Sequence, residues 1–258
     1  MPSASVSPKW QRPRTSSPLS DGAAPSASDL QIAGLVPLST VDWPGTLSAT
    51  VFCQGCPWNC AYCHNPSLID CTMPGIVEWD DVMALLSRRR GLLDAVVFTG
   101  GEATRQAALL PAMQAVREAG FAVGLHTAGA YPNRVRALAP LVDWVGLDIK
   151  ALPEDYGEVA GATAGGAKAW RCLEILLAAG VETEVRLTVH PGSAPARTAL
   201  EIAREVRRRG ATTFALQNAR TEGTRAQFAA RPREGWDETW RRLCEDMHGV
   251  GFPELRCR

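Results

Sequence analysis

From Ile32 onward, short apolar runs alternate with segments whose apolar residues recur every three or four positions. The short runs predict strands at Leu47–Phe52, Ala95–Thr99, Ala122–His126, Val142–Ile149, Val181–Val189 and Thr212–Gln217. The periodic segments predict helices at Trp79–Arg90, Arg105–Gly120, Asn133–Ala139, Lys168–Gly180, Ala196–Gly210 and Trp236–His248. In the first of these, Val82, Leu85 and Leu86 share one face, while Gly120 and Gly180 mark helix stops. Pro111 either starts or kinks its helix. Strand followed by helix, about six times over, implies an α/β fold of parallel strands joined by right-handed crossovers. That leaves a whole or partial barrel and an open doubly wound sheet as the candidates. No G-x-G-x-x-G opens the first unit, which counts against a dinucleotide-binding version.

Residues 1–29 break the pattern. They are rich in Ser, Pro and Ala and nearly devoid of large aliphatics, so they predict a disordered tail. Residues 30–258 then form one domain. The formal net charge is zero, which argues against a nucleic-acid partner. No apolar run approaches the ~20 residues that span a bilayer, so no membrane association is expected. The chain carries eight cysteines, too unevenly spread for a disulfide framework and without a signal peptide ahead of them. A reducing, cytoplasmic setting follows, in which clustered thiols serve metal binding or catalysis.

In parallel α/β folds, ligands gather at the carboxyl ends of the strands. Those ends hold the cysteine-rich segment after the first strand, then TGGEA (Thr99–Ala103), HTAG (His126–Gly129), DIK (Asp148–Lys150), RLTVHPG (Arg186–Gly192) and QNAR (Gln217–Arg220). Each alone reads as ordinary turn chemistry; together, beside a cysteine cluster, they read as one site. Cys56, Cys60 and Cys63 have the spacing C-x3-C-x2-C in a segment whose Pro57 and Asn59 favour a loop. Three readings remain open. Buried apolar thiols would need no loop. Structural zinc, with His64, Cys53 or Cys71 as fourth ligand, lacks the usual second knuckle downstream. An iron–sulfur cluster with three cysteines leaves one iron open for a ligand.

The residues also carry a resemblance. C-x3-C-x2-C with Tyr62 before its last cysteine resembles the signature of the radical S-adenosylmethionine superfamily, and TGGEA resembles its GGE motif. STVDWPG followed by a strand and Q-G-C, then YCHN and DIK, is similar to the glycyl-radical-enzyme activase branch. Within it, GLVPLSTVDWPG looks most like the longer type of anaerobic ribonucleoside-triphosphate reductase activating protein. The resemblance covers about residues 34–220. It implies a partial (β/α)6 TIM-like barrel, open at one side, with a C-terminal helix and short strand. It implies that Cys56, Cys60 and Cys63 hold a 4Fe-4S cluster whose fourth iron binds S-adenosylmethionine. Tyr62 and His64 would flank the adenine, Gly100, Gly101 and Glu102 the methionine end, and Asp148 and Lys150 the sulfonium and carboxylate. Arg186 and His190 would be lower-rank contacts.

The implied reaction is reductive cleavage of S-adenosylmethionine and removal of a hydrogen atom from a partner glycine. The radical belongs to the cofactor, so no protein acid or base is nominated. The partner would be a glycyl radical enzyme, anaerobic ribonucleoside-triphosphate reductase. No additional ferredoxin-like cysteine set is present, so an external donor of the flavodoxin or ferredoxin type is expected. The alternatives are a pyruvate formate-lyase-type activase, a small-molecule enzyme such as a 7-carboxy-7-deazaguanine synthase, and a zinc-stabilised binding module. Gln217 or Asn218 stands where pyruvate formate-lyase activases carry a histidine, which weighs against that partner. Trp43 replaces the usual glycine of the entry loop, a departure the sequence does not explain. Cys53 and Cys172 read as core; Cys244 and Cys257 are unassigned.

Overall fold

The computed structural model describes residues 24–258. The tail expected over 1–29 therefore lies outside the described residues up to 23; beyond it, Ala27–Asp29 forms one 3-10 turn capped by Ser26, and Leu30 enters the core.

Eight strands make one sheet in chain order: β1 (Ile32–Ser39), β2 (Ser48–Cys53), β3 (Ala95–Gly100), β4 (Ala122–Thr127), β5 (Trp144–Asp148), β6 (Glu182–Val189), β7 (Thr213–Asn218) and β8 (Glu254–Cys257). From β2 to β8 every neighbouring pair is parallel. Edge strands β1 and β8 do not pair with each other, so the sheet is a barrel left open at one side. The six predicted strands are β2 to β7, and the short C-terminal strand is β8. Edge strand β1 was not predicted. It runs antiparallel to β2 with two register shifts, and it carries Gly34 and Pro37, which blur the alternation that marks a strand.

The crossovers are α1 (Trp79–Arg88), α2 (Leu109–Glu118), α3 (Pro132–Leu138), α4 (Tyr156–Ala160), α5 (Gly165–Ala178), α6 (Ala194–Arg197), α7 (Ala199–Arg208), α8 (Ala226–Ala229) and α9 (Trp236–His248). Pro111 lies in the first turn of α2, where its missing N–H would have had no helical partner, so it starts the helix without kinking it. The short α4 and α8 were not predicted; each has too few residues to show a period. Helix α7 shows why the pattern worked elsewhere. Ile202, Ala203 and Val206 are buried against the sheet, while Glu205 pairs outward with Arg208 and Arg209.

The barrel interior is sealed at the amino ends of the strands by the loop between β1 and β2. The Trp43 indole stacks on Trp144, with centroids 5.4 Å apart, against Gly124. A Cβ at Gly124 would come within 2.9 Å of the Trp43 ring. This is the physical role of the tryptophan that replaces glycine in the entry loop: it forms the floor of the barrel. Asp42 is held there by Thr50, whose hydroxyl donates to its carboxylate at 2.7 Å. No helix among the described residues is long and apolar enough to cross a membrane.

Candidate active site

At the carboxyl ends of the strands lies a cavity of about 380 Å3, within the range of small-molecule and cofactor sites. Cys56, Cys60 and Cys63 line one side of it, with Trp58, Tyr62, His64 and Asn65. The cysteine segment is a loop, as Pro57 and Asn59 predict, and its backbone is tied down residue by residue. Gly55 N donates to Leu68 O, Cys56 N to Ile69 O and Asn59 N to Ala160 O. Gln106 clasps its base, accepting from Gln31 N and donating to Gln54 O. The Arg105 guanidinium lies over Gly55, where a Cβ would stand 2.6 Å from its Nε. From the far side of the sheet, the segment after β7 reaches over. Arg225 donates to Cys60 O at 3.0 Å, and the Glu222 carbonyl meets His64 Nδ1 at 3.1 Å.

Gly100 and Gly101 also line the cavity, but their small size answers first to the chain itself. A Cβ on Gly100 would fall 2.3 Å from Cys53 N, and one on Gly101 2.4 Å from Gly55 O. Only glycine lets the end of β3 lie directly on the cysteine loop.

Glu102 turns away from the cavity. It is 1% exposed, and its carboxylate accepts from Thr104 Oγ1, Thr127 Oγ1 and the backbone N–H of Ala128. Burial raises its pKa and these donors oppose the rise. Its oxygens are thus occupied by a clip between the ends of β3 and β4. The resemblance implies a contact between this carboxylate and an ammonium group; in the structure its partners are protein.

Tyr62 is 94% buried in the cavity wall, clustered with the rings of His190 and Phe228, with Lys150 Nζ 5.6 Å from its ring centroid. Its hydroxyl has no hydrogen-bond partner among the described residues. Lys150 pairs with Asp148 at 3.0 Å. Burial alone would lower the Lys150 pKa, but Asp148 outweighs it and holds the ammonium charged. His190 does not line the cavity; it is buried behind Tyr62, packed edge-on to Phe228 at 5.0 Å.

Deeper in, His126 donates Nε2–H to the Asp42 carbonyl at 2.7 Å. Enclosure in the barrel and the nearby Arg186 push its pKa down to about 4, so the ring is neutral at ordinary pH. Arg186 lies over Trp144, its Cζ 5.1 Å from the ring centroid, and crosses Gly146, where a Cβ would meet that Cζ at 2.5 Å. Its Nε donates to Glu184 at 2.7 Å. Glu184 is fully buried and also accepts from Arg256 and Arg258. Burial works to raise the Glu184 pKa, and the arginines, Arg186 first, hold it below the usual range.

The sequence reading did not select Trp58, His126, Thr188 or Arg258 as site residues, yet all four line the cavity. The strand-end HTAG segment was a signal for His126. Nothing marked Arg258, which topology brings in by placing β8 beside β7.

Comparison with known proteins matches residues 50–199, more than half of the chain, to the model of the radical SAM superfamily. The chain belongs to that superfamily. A Methanocaldococcus jannaschii protein provisionally named a glycyl-radical enzyme activating enzyme is 29% identical over 222 residues, 82% of this chain and 85% of its own length. The 7-carboxy-7-deazaguanine synthase of Thermococcus kodakarensis is 30% identical over 164 residues, covering 52% of this chain and 60% of that protein. Among solved structures, Streptococcus suis SuiB bound to S-adenosylmethionine shares the fold with a TM-score of 0.61 at 13% identity, over 80% of this chain and 48% of that one. The chain thus spans about half the length of that solved protein.

The cofactors of this radical SAM oxidoreductase, by its membership of the superfamily, are a 4Fe-4S cluster and S-adenosylmethionine, and the cavity suits them. Soft thiols supply the donor set. Among the described residues no group of three or more His, Cys, Asp or Glu side chains is gathered tightly enough to grip one metal ion. A cubane asks for something different, since each cysteine binds its own iron and the ligands surround a volume. The orphaned Tyr62 hydroxyl, buried at the wall, is a polar atom awaiting a partner.

Proposed function

We propose that the chain activates a glycyl radical enzyme, with Cys56, Cys60 and Cys63 holding the cluster and Tyr62, His64, Gly100, Gly101, Asp148 and Lys150 around S-adenosylmethionine. When bound, the cluster and S-adenosylmethionine supply a one-electron cleavage of a sulfonium C–S bond and a carbon radical that takes a hydrogen atom. The protein's part is to place and to shield. With Cys56, Cys60 and Cys63 as its protein ligands, a 4Fe-4S cluster would keep one iron free to bind S-adenosylmethionine. The Lys150–Asp148 pair presents both charges to a zwitterionic amino acid, and Tyr62 with Trp58 closes an aromatic wall over the site. Arg186 stands below as a further contact. Glu102 acts indirectly, by fixing Thr127 and Ala128, and His190 by backing Tyr62.

The observation that carries this reading is the convergence of the three thiols with an unpaired, buried Tyr62 hydroxyl on one cavity. Similarity to a provisionally named activating enzyme over most of both chains supports the choice of reaction. The partner in this reading is anaerobic ribonucleoside-triphosphate reductase, with electrons from an external flavodoxin or ferredoxin type of donor. Eight unpaired cysteines are in keeping with a cytoplasmic setting.

The test is anaerobic incubation of the reconstituted, reduced chain and S-adenosylmethionine with that reductase, followed by EPR. A glycyl radical doublet that depends on the chain supports the reading; a signal no larger than in its absence contradicts it.

A second reading, a radical enzyme acting on a small acid, is favoured by the arginines of the β6–β8 wall and by the similarity to a 7-carboxy-7-deazaguanine synthase. Turnover of an acidic small molecule without any glycyl radical would establish it instead.

A further inference from the structure

Two cysteines stand apart from the cofactor cavity, Cys244 on α9 and Cys257 on β8. The fold brings them together. Along β8, Arg256 and Arg258 reach the buried Glu184 carboxylate on the inner side of the sheet. Successive side chains of a strand alternate, so Leu255 and Cys257 point to the outer side, where the helices lie. Leu255 packs on the core there, and Cys257 lies in register with the buried Leu216 of β7. Helix α9 presents Trp236, Trp240, Leu243, Cys244 and Met247 to the same core, at helical spacing.

Between the two elements the chain reverses. Val250 N donates to Met247 O and Gly251 N to His248 O, which closes α9. Phe252 then stacks on Phe214 of β7, centroids 4.8 Å apart, and Glu254 N donates to Thr212 O as β8 begins. The helix and the strand so run back past each other. Cys244, near the end of α9, meets Cys257, at the end of β8, within hydrogen-bonding reach.

The two thiols are unequal. Cys257 is exposed and Cys244 half-buried. Burial first, then the hydrogen bond with Cys257 and its charge, push the Cys244 thiol up to about 12. Cys244 therefore keeps its proton and shares it with the Cys257 sulfur, and Cys257 is the thiol that a reagent in solution can reach. The thiolate is the reacting form of cysteine. Among the described residues no third His, Cys, Asp or Glu joins the pair to make a metal site. The other thiols outside the C-x3-C-x2-C set are placed differently: Cys53 is fully buried, Cys172 donates to Gly129 O, and Cys71 faces the carbonyls of Cys56 and Ile69.

We infer that Cys244 and Cys257 form a redox-active dithiol, a modification site that a low-molecular-weight disulfide closes into a bridge between α9 and β8. The Cys257 thiolate attacks one sulfur of the small disulfide; its S–S bond breaks, a mixed disulfide forms, and one small thiolate leaves. The Cys244 sulfur, giving up its proton, then attacks the Cys257 sulfur, and the second small thiolate leaves. The dithiol loses two electrons, the small disulfide gains them, and the two protons end on the two released thiols. The bridge staples β8, an edge strand of four residues with a neighbour on one side only, to the helix layer. Its closure follows the thiol–disulfide balance around the protein and needs no S-adenosylmethionine, so it stands independently of the activase reading.

The experiment exposes the reconstituted chain, kept anaerobic, to oxidised glutathione. Acid quenching, alkylation and peptide mapping by mass spectrometry follow. A Cys244–Cys257 bridge is expected, reopened by excess reduced glutathione. Cys244→Ser stops the sequence at a glutathione adduct on Cys257. In Cys257→Ser, Cys244 is modified at least about tenfold more slowly than Cys257 is in Cys244→Ser, as a protonated, half-buried thiol should be. Cys257 is exposed, so its serine variant keeps the fold even where Cys244→Ser does not. The bridged chain unfolds about 5 °C higher than the reduced one, a rise absent from Cys257→Ser. A glutathione adduct that persists on Cys257 in the unsubstituted chain, no modification of either thiol, a bridge from Cys257 to another cysteine, or a lower unfolding midpoint on bridging overturns the site.

Discussion

The two walls of the cavity are built in opposite ways. The cysteine wall is a loop, with no helix or strand of its own, pinned by backbone hydrogen bonds and by glycines that admit close contact. The arginine wall sits on strands β6 to β8 and is fixed by side chains, with one buried carboxylate orienting three guanidinium groups. The first must keep three thiols at separate corners of a cluster, so its geometry is set by the main chain. The second has only to present charge, so long side chains suffice. The difference teaches where substitutions are tolerated: backbone-set geometry fails abruptly, side-chain-set geometry by degrees.

The largest expected effect is at the thiols. Cys56→Ala, Cys60→Ala or Cys63→Ala each abolishes cluster assembly, read by iron content and visible absorbance, and lowers cleavage of S-adenosylmethionine by more than the ~10–100-fold of an outer-shell change. Cys71→Ser, by contrast, keeps the cluster, since the exposed Cys71 does not line the cavity.

A pair of glycine variants compares the walls directly. Gly101→Ala drives a methyl into the Gly55 carbonyl, a backbone atom with no room to move, and costs roughly 3 kcal/mol or more by denaturant unfolding. Gly146→Ala meets the Arg186 guanidinium, which can swing aside, and costs about 1 kcal/mol while weakening the hold on Trp144. Equal losses in the two variants would break the distinction between the walls.

The floor comes next. Trp43→Gly restores the residue usual in activases and removes the stack on Trp144. Because Trp43 is half-buried, the loss is about 2 kcal/mol, toward the low end of large-to-small changes. The cluster still assembles in this variant.

The smallest effect on the cofactor is expected at Glu102. Glu102→Gln sets an amide NH2 against protein donors and destabilises the fold by about 1–3 kcal/mol. Affinity for S-adenosylmethionine, measured by calorimetry on the reconstituted chain, changes less than twofold. A large loss of affinity would place the carboxylate at the cofactor after all.

The contrast between the walls also explains what the sequence revealed. The six strand–helix units were legible because Val96, Val97 and Phe98, or Ile202, Ala203 and Val206, follow the period of a strand or helix buried on one or both faces. Strand β1 was not, because Gly34, Pro37 and two register shifts erase the period. The cysteine wall was legible as a motif, since backbone-set geometry demands fixed residues at fixed spacing. Arg258 was invisible, because it enters the cavity through the placement of β8 beside β7, a long-range choice with no local signal. Glu102 was visible as a residue and not as an orientation: Thr127 and Ala128, a whole crossover away, capture its oxygens.

The central claim is that this chain cleaves S-adenosylmethionine at a cluster held by three cysteines. The most direct measurement is quantification of methionine and 5′-deoxyadenosine after anaerobic reconstitution with iron and sulfide, reduction, and addition of S-adenosylmethionine. Equal amounts of both products, lost in Cys60→Ala, are the predicted result. A chain carrying its full cluster that forms no 5′-deoxyadenosine would contradict it.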